Sequence, residues 1–154
     1  LKNNKNVIIS GINLSEKSEL LSRIPELENR SLIEPLISAE DILPFCKLTI
    51  CHGGSGTVYQ SIASGVPVLC FPKNPDQGLV SLAVTQNNIG RHLTSKITHQ
   101  TSIEKIVLEC LNNEVIQQNA LNRQLLISEW KTKARWIQFL NKFKTIRKST
   151  KIIA

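Results

Sequence analysis

The sequence predicts an α/β domain, a parallel sheet with helices on both faces. Three observations point there. Short β-branched runs of strand length recur, helical patterns lie between them, and Gly or Pro closes most of the runs. Strands that alternate with helices of this size pair in parallel through crossovers, and such a sheet needs cover on both faces.

The first run, Val7-Ile8-Ile9-Ser10-Gly11, is brief, β-branched and closed by Gly. Arg30 to Glu34 is a weaker second strand. Lys47-Leu48-Thr49-Ile50-Cys51 is a third, followed at once by a glycine cluster. Val66 to Pro72 is a fourth, bracketed by Gly65 and Pro72, and Arg91-His92-Leu93 is a short fifth. Helical stretches fall at Ala39 to Phe45, at Thr57 to Ser64 and at Gln77 to Asn87, the last ended by Ile89-Gly90. Thr101-Ser102 with Glu104 marks a further helix start, before Ile103, Ile106, Val107, Cys110 and Leu111 at helical spacing. From Asn122 to Ala154 there is neither Gly nor Pro, and the segment reads as one long amphipathic helix with Leu126, Trp130, Ile137, Leu140, Phe143 and Ile146 on a stripe. The expected division is therefore a domain over 1–121 and a basic C-terminal helix over 122–154.

The chain has 154 residues, 41% hydrophobic and 20% charged. That excludes a disordered tail, a collagen-like repeat and a disulfide-dense mini-protein. No run reaches the roughly 18 apolar residues of a membrane span, and no leader pattern is visible at the start. With Leu1 in place of Met, the expectation is a chain cut from something longer. Residues 1–122 hold ten basic and eleven acidic residues, a net of −1, whereas 123–154 hold nine basic residues and only Glu129, a net of +8. A nearly neutral body argues against nucleic-acid binding along a face. Cys46, Cys51, Cys70 and Cys110 lie among apolar residues, and no pair has the spacing of a zinc site or redox motif. They read as buried reduced thiols, which favour a reducing compartment and a cytoplasmic location.

The segment that draws chemistry is His52-Gly53-Gly54-Ser55-Gly56-Thr57. Three glycines in four residues let a ligand approach the backbone, and the helix that follows turns its free N–H groups and positive dipole end outward. Such a turn suits an anion, phosphate above all, although a plain tight turn has the same composition. Ser55 and Thr57 add hydroxyls and His52 a ring N–H. There is no P-loop Lys, so the nucleoside triphosphatase reading fails.

The turn, Gly65-Val66-Pro67, Pro72, Asp76-Gln77 and Gly90, in that order and spacing, together resemble the donor-binding signature of GT-B glycosyltransferases. The likeness is nearest to the family-1 type, which includes antibiotic, sterol and plant natural-product glucosyltransferases, and it runs over residues 43–93. The resemblance implies a Rossmann-like fold, the C-terminal half of a GT-B enzyme, here lacking its first strand-helix unit. It implies that His52 and the backbone of Gly53 and Gly54 to Thr57, with the Ser55 and Gly56-Thr57 positions at the helix start, hold the donor diphosphate. Gln60 would meet the ribose, and Asp76 and Gln77 the transferred sugar; Asp76 read alone is equally an N-cap. The family's usual ribose-binding Glu is Gln60 here, and its Pro-Gln pair near the base is Ser38-Ala39.

The same resemblance implies an inverting transfer of sugar from a nucleotide-diphosphate donor, expected to be a UDP-sugar, to an acceptor hydroxyl. No cofactor and no metal are expected: there is no Asp-x-Asp and no ligand cluster. No catalytic residue is expected in this chain, because the family's base lies in an N-terminal acceptor-binding domain, which is the expected partner. A separate-subunit or non-catalytic nucleotide-sugar-binding module is the alternative. A Ser55–His52–Asp76 triad fails for want of a nucleophile elbow, and His92 and His99 read as surface or structural. The basic helix reads first as docked on protein; peripheral membrane contact through 130–150 is the second option and nucleic acid the third.

Overall fold

Every strand pairing among the described residues is parallel. The structure, a computed structural model, describes residues 6–93, 100–130 and 132–149. It divides into two units, Leu1–Phe45 and Cys46–Ala154.

The first unit pairs β1 (Val7–Ser10) with β2 (Ser31–Glu34), from Val7 opposite Ser31 to Ser10 opposite Glu34. Between them runs α1 (Leu14–Arg23), a helix not among those expected from the sequence. Its start is written in a capping box. Asn13 Oδ1 accepts the Glu16 amide at 2.9 Å, and Glu16 Oε2 accepts the Asn13 amide at 2.7 Å. No residue of α1 is buried. Lys17 Nζ ties the helix to the carbonyl of Ile33 at 2.9 Å. The short helix α2 (Ala39–Ile42) passes into a 3₁₀ turn, Leu43–Phe45.

The second unit holds β3 (Thr49–Cys51), β4 (Val68–Cys70) and β5 (Gly90–His92), with β4 in the middle. The linking helices are α3 (Ser55–Ala63) and α4 (Pro75–Gln86). Val68, Leu69 and Cys70 are wholly excluded from solvent. On one face of β4, Val68 and Cys70 pack with Val58, Val84 and Ile89, which brings α3 and α4 together. On the other, Leu69 packs with Leu93, Cys110, Ile103, Ile106 and Val107, and so with α5 (Gln100–Asn112). The unbroken apolar run of β4 is what a parallel strand covered on both faces requires. The predicted Rossmann-like arrangement of parallel strands with helices on both faces is present here.

The C-terminal segment differs in detail from the single helix expected over 122–154. α6 (Glu114–Glu129) starts earlier, where Asn113 caps the amides of Val115 and Ile116. It crosses position 122 without interruption and packs on α3 through its fully buried Ile116 and Ala120. Arg123 reaches Asn87 Oδ1 at 2.7 Å, anchoring α6 to the end of α4. At Trp130 the amide bonds Ile127 O, an i−3 bond that tightens and closes the last turn. A separate helix, α7 (Thr132–Ser149), follows. Along the expected stripe, Leu126, Trp130, Ile137 and Leu140 are exposed. Trp136 stacks on Phe139 at 5.2 Å, and Arg135 sits over the Trp130 ring. No helix among the described residues is long and apolar enough to cross a membrane.

His92 accepts or donates a bond of 2.9 Å with Thr85 Oγ1 and is structural; His99 lies outside the described residues. The β4–β5 pairing leaves no room at Gly90, where an added Cβ would run into the carbonyl of Val68 and lie 2.9 Å from Val84. Gly90→Ala is therefore expected to lower stability by about 2–3 kcal/mol, read as a fall in the urea midpoint at unchanged slope.

Candidate functional site

β3 and β4 end at the same level, Cys51 opposite Cys70, and the loops that leave them carry all the residues the sequence singled out except Gln60, which lies one turn along α3. His52 is exposed at the bend after β3. Gly53 is buried with φ of +85°, a conformation that L side chains avoid. A Cβ there would press on Ser81 Oγ and come within 3.0 Å of the Gln77 carbonyl. The glycine turn thus lies directly on the first turns of α4.

Gly54 is the N-cap of α3 and has no side chain to satisfy the amides that follow. Ser55, Gly56 and Thr57 form the first turn, where no carbonyl lies one turn back to accept their N–H groups. α2 too starts without a side-chain cap bond, but the longer helices with a described start differ. α1, α4 and α6 each begin with an Asn whose side chain accepts first-turn amides, whereas α3 begins bare. An uncapped dipole end with three first-turn amides and two hydroxyls, exposed at Ser55 and Thr57, offers the donors that an anion would need.

Asp76 and Gln77 fall in the first turn of α4. The cap of that helix is Asn74, whose Oδ1 accepts the Gln77 amide at 2.9 Å. Asp76 is thus relieved of the capping role that its type alone suggested, and its carboxylate is exposed. The missed signal is Asn74-Pro75, a cap followed by Pro at the first helical position. Gln77 Oε1 is held by the Lys73 amide at 2.8 Å. The side-chain carbonyl is used, so the Gln77 NH₂ remains as a donor beside the acceptor oxygens of Asp76. Gln60 stands exposed one turn further along α3 than Thr57, and Ser38 and Ala39 belong to the first unit, at the start of α2.

Two buried serines fix the frame. Ser61 Oγ donates to Thr49 Oγ1 at 2.6 Å and lies 3.0 Å from the Val66 carbonyl, joining α3 to β3 and to the start of β4. Ser81 Oγ donates to the Gln77 carbonyl at 2.7 Å. Among the described residues no group of three His, Cys, Asp or Glu could hold a metal ion.

The thiols divide differently from the uniform burial expected: Cys70 and Cys110 are buried, Cys46 and Cys51 only half-buried. Cys51 is drawn down from the ordinary thiol value to about 7, chiefly by the Cys70 thiol; burial opposes this and the Gly53 N–H, 3.4 Å from Cys51 Sγ, assists. Cys70 moves the opposite way, held protonated first by Cys51 and then by burial.

Residues 5–127 match the family model described as the erythromycin biosynthesis protein CIII-like, C-terminal domain. The chain belongs to that family. Among curated relatives, a UDP-glycosyltransferase of Dactylopius coccus is 29% identical over 111 residues, covering 68% of this chain and 22% of the relative. A zeaxanthin glucosyltransferase of Pseudescherichia vulneris is 34% identical over 80 residues, 51% of this chain and 19% of the relative. The chain thus spans about a fifth of the length of these proteins. In fold it is similar to the spinosyn forosaminyltransferase SpnP, with a TM-score of 0.72 at 18% identity over 90% of this chain and 34% of that one. It is likewise similar to the glycosyltransferase VinC in complex with dTDP, with a TM-score of 0.67 at 19% identity over 77% and 29%. The membership agrees with the resemblance read from the sequence signature.

Because the thiolate is the nucleophile, a lowered pKa makes alkylation rise earlier with pH. The iodoacetamide rate at Cys51 should reach half its plateau near pH 7, while Cys46, raised by burial, lags above the ordinary thiol range. Peptide mass spectrometry across a pH series checks this.

Proposed function

We propose that this chain is the donor-binding part of an inverting glycosyltransferase, which moves a sugar from a UDP-sugar to an acceptor hydroxyl. The observation that carries the reading is the bare N-terminus of α3, set against the start of α4 by the close approach at Gly53. Relatives named as UDP-glycosyltransferases, and similar structures in complex with UDP or dTDP, support a nucleotide-diphosphate ligand.

In this reading the diphosphate lies over Gly53 and Gly54, receives hydrogen bonds from the amides and hydroxyls of Ser55 to Thr57, and meets the exposed ring of His52. Charge that develops on the leaving diphosphate is offset by preorganised dipoles, which need no reorganisation as the bond breaks. Asp76 accepts from sugar hydroxyls and the Gln77 NH₂ donates to them, an arrangement that fixes the orientation of the anomeric carbon. Gln60 supplies an uncharged contact to the ribose. The base that deprotonates the acceptor belongs to an N-terminal acceptor-binding domain, against which the apolar side of α7 packs. The protein is cytoplasmic, with residues 1–121 as the donor domain.

Uridine diphosphate added to the chain should shift the amide resonances of residues 52–57. His52→Ala should weaken binding about fivefold, the loss of roughly 1 kcal/mol expected for one hydrogen bond. Shifts confined to 132–149 would reject the assignment. For α7, sedimentation with anionic vesicles at low salt separates two occupants: docking on protein predicts no vesicle binding, and binding lost at high salt would assign the helix to a membrane surface.

A further inference from the structure

Directly beneath the glycine turn, the last residues of β3 and β4 are both cysteines. Cys51 and Cys70 are register partners on adjacent parallel strands, and strands so paired lie ~4.8 Å apart. A disulfide accepts Cα separations of roughly 4.4–6.8 Å, a range that this strand spacing falls within. Both side chains lie on the same face, in the cluster with Val58 and Val84. The turn engages the pair from above. The Gly53 N–H points at Cys51 Sγ at 3.4 Å, and the space where a Gly53 Cβ would sit is 3.6 Å from Cys70 Cβ.

The two sulfurs are not equivalent. Cys51 is half-buried, whereas Cys70 is wholly excluded from solvent. We propose that Cys51 and Cys70 form a hydroperoxide-reactive dithiol site, with Cys51 as the attacking thiolate and Cys70 as the resolving thiol. The lowered pKa of Cys51 agrees with this order.

The chemistry balances with one hydroperoxide. The Cys51 thiolate attacks one peroxide oxygen; an S–O bond forms, the O–O bond breaks, and the other oxygen takes a proton and leaves as water or alcohol. Cys70 then gives up its proton and its sulfur attacks the sulfenic sulfur of Cys51. The S–S bond forms, the S–O bond breaks, and the hydroxyl leaves as water with that proton. Two thiols lose two electrons between them and one peroxide gains them. The product sulfur at 51 carries no charge, so the Gly53 N–H loses a thiolate acceptor and the turn must readjust. The oxidant state is thereby coupled to the shape of the anion-binding turn.

The test exposes the reduced 154-residue chain to hydrogen peroxide, then alkylates with iodoacetamide and digests with trypsin. Cleavage after Lys47 and Lys73 leaves both cysteines on one peptide, residues 48–73, with Cys46 and Cys110 on others. The expected product is that peptide lighter by two hydrogen atoms and unalkylated, with a shifted Gly53 amide resonance, both reversed by dithiothreitol. In Cys70→Ser the reaction should stop at a Cys51 sulfenic acid that dimedone captures, and in Cys51→Ser residue 70 should stay unmodified. The wild-type measurement stands without either variant. Oxidation that falls first on Cys46 or Cys110, or a peptide 48–73 still alkylated at both cysteines, overturns the proposal.

Discussion

β4 buries Val68, Leu69 and Cys70 completely, and this places demands on everything around it. A strand with no solvent-facing side needs a hydrogen-bonding neighbour on each edge and an apolar layer over each face. β3 and β5 supply the edges. α3 and α4 supply one face and α5 the other. Because parallel strands must be joined by crossovers, both helices of the first face start from loops at the same end of the sheet. The packing of three side chains therefore brings two helix N-termini together, with Gly53 as the point where they touch.

The two helix starts are then made chemically unlike. At α4, Asn74 consumes the amide of Gln77, and the Lys73 amide consumes the side-chain oxygen of Gln77, which leaves carboxylate oxygens and a side-chain NH₂ among the polar groups there. At α3 the cap is Gly54 and the groups left over are backbone amides. An Asn at position 54 would suit the helix by only a few tenths of a kcal/mol more than Gly, yet it would fill the space in front of those amides. A bare helix end is inexpensive in stability and leaves its donors available.

Short local patterns made most of this legible in sequence. The five strands and the glycine turn need only a few neighbouring residues to be recognised, and each falls within a residue or two of its expected place. The parts that escaped depend on something else. α1 keeps Leu14 exposed and buries no residue, and its start is marked by two polar residues, Asn13 and Glu16, in place of a glycine or proline. α6 ends at Trp130 with neither Gly nor Pro to mark the place, and the contacts that hold it, through Ile116, Ala120 and Arg123, lie earlier in the helix. Asp76 looked like a cap because Pro75 hides the true cap, Asn74, two positions earlier. The Cys51–Cys70 pair could not be read at all: spacing along the chain says nothing about it, and only strand register puts the two thiols together.

Charge distribution follows the same logic. Residues 1–122 are almost neutral, ten basic against eleven acidic, and the basic excess lies beyond them. No Lys or Arg stands in the 52–57 turn. An anion held there is met by aligned peptide dipoles, equivalent to about half a positive charge at the helix end, rather than by mobile side-chain cations. Such a site does not recruit anions from a distance as a basic surface does. It acts within a turn's reach and favours ligands that put phosphate oxygens against the backbone. Shape then contributes more than field strength to selection, and shape is set by Gly53 at positive φ against Ser81. The shape of this turn is in that sense a property of the sheet core beneath it.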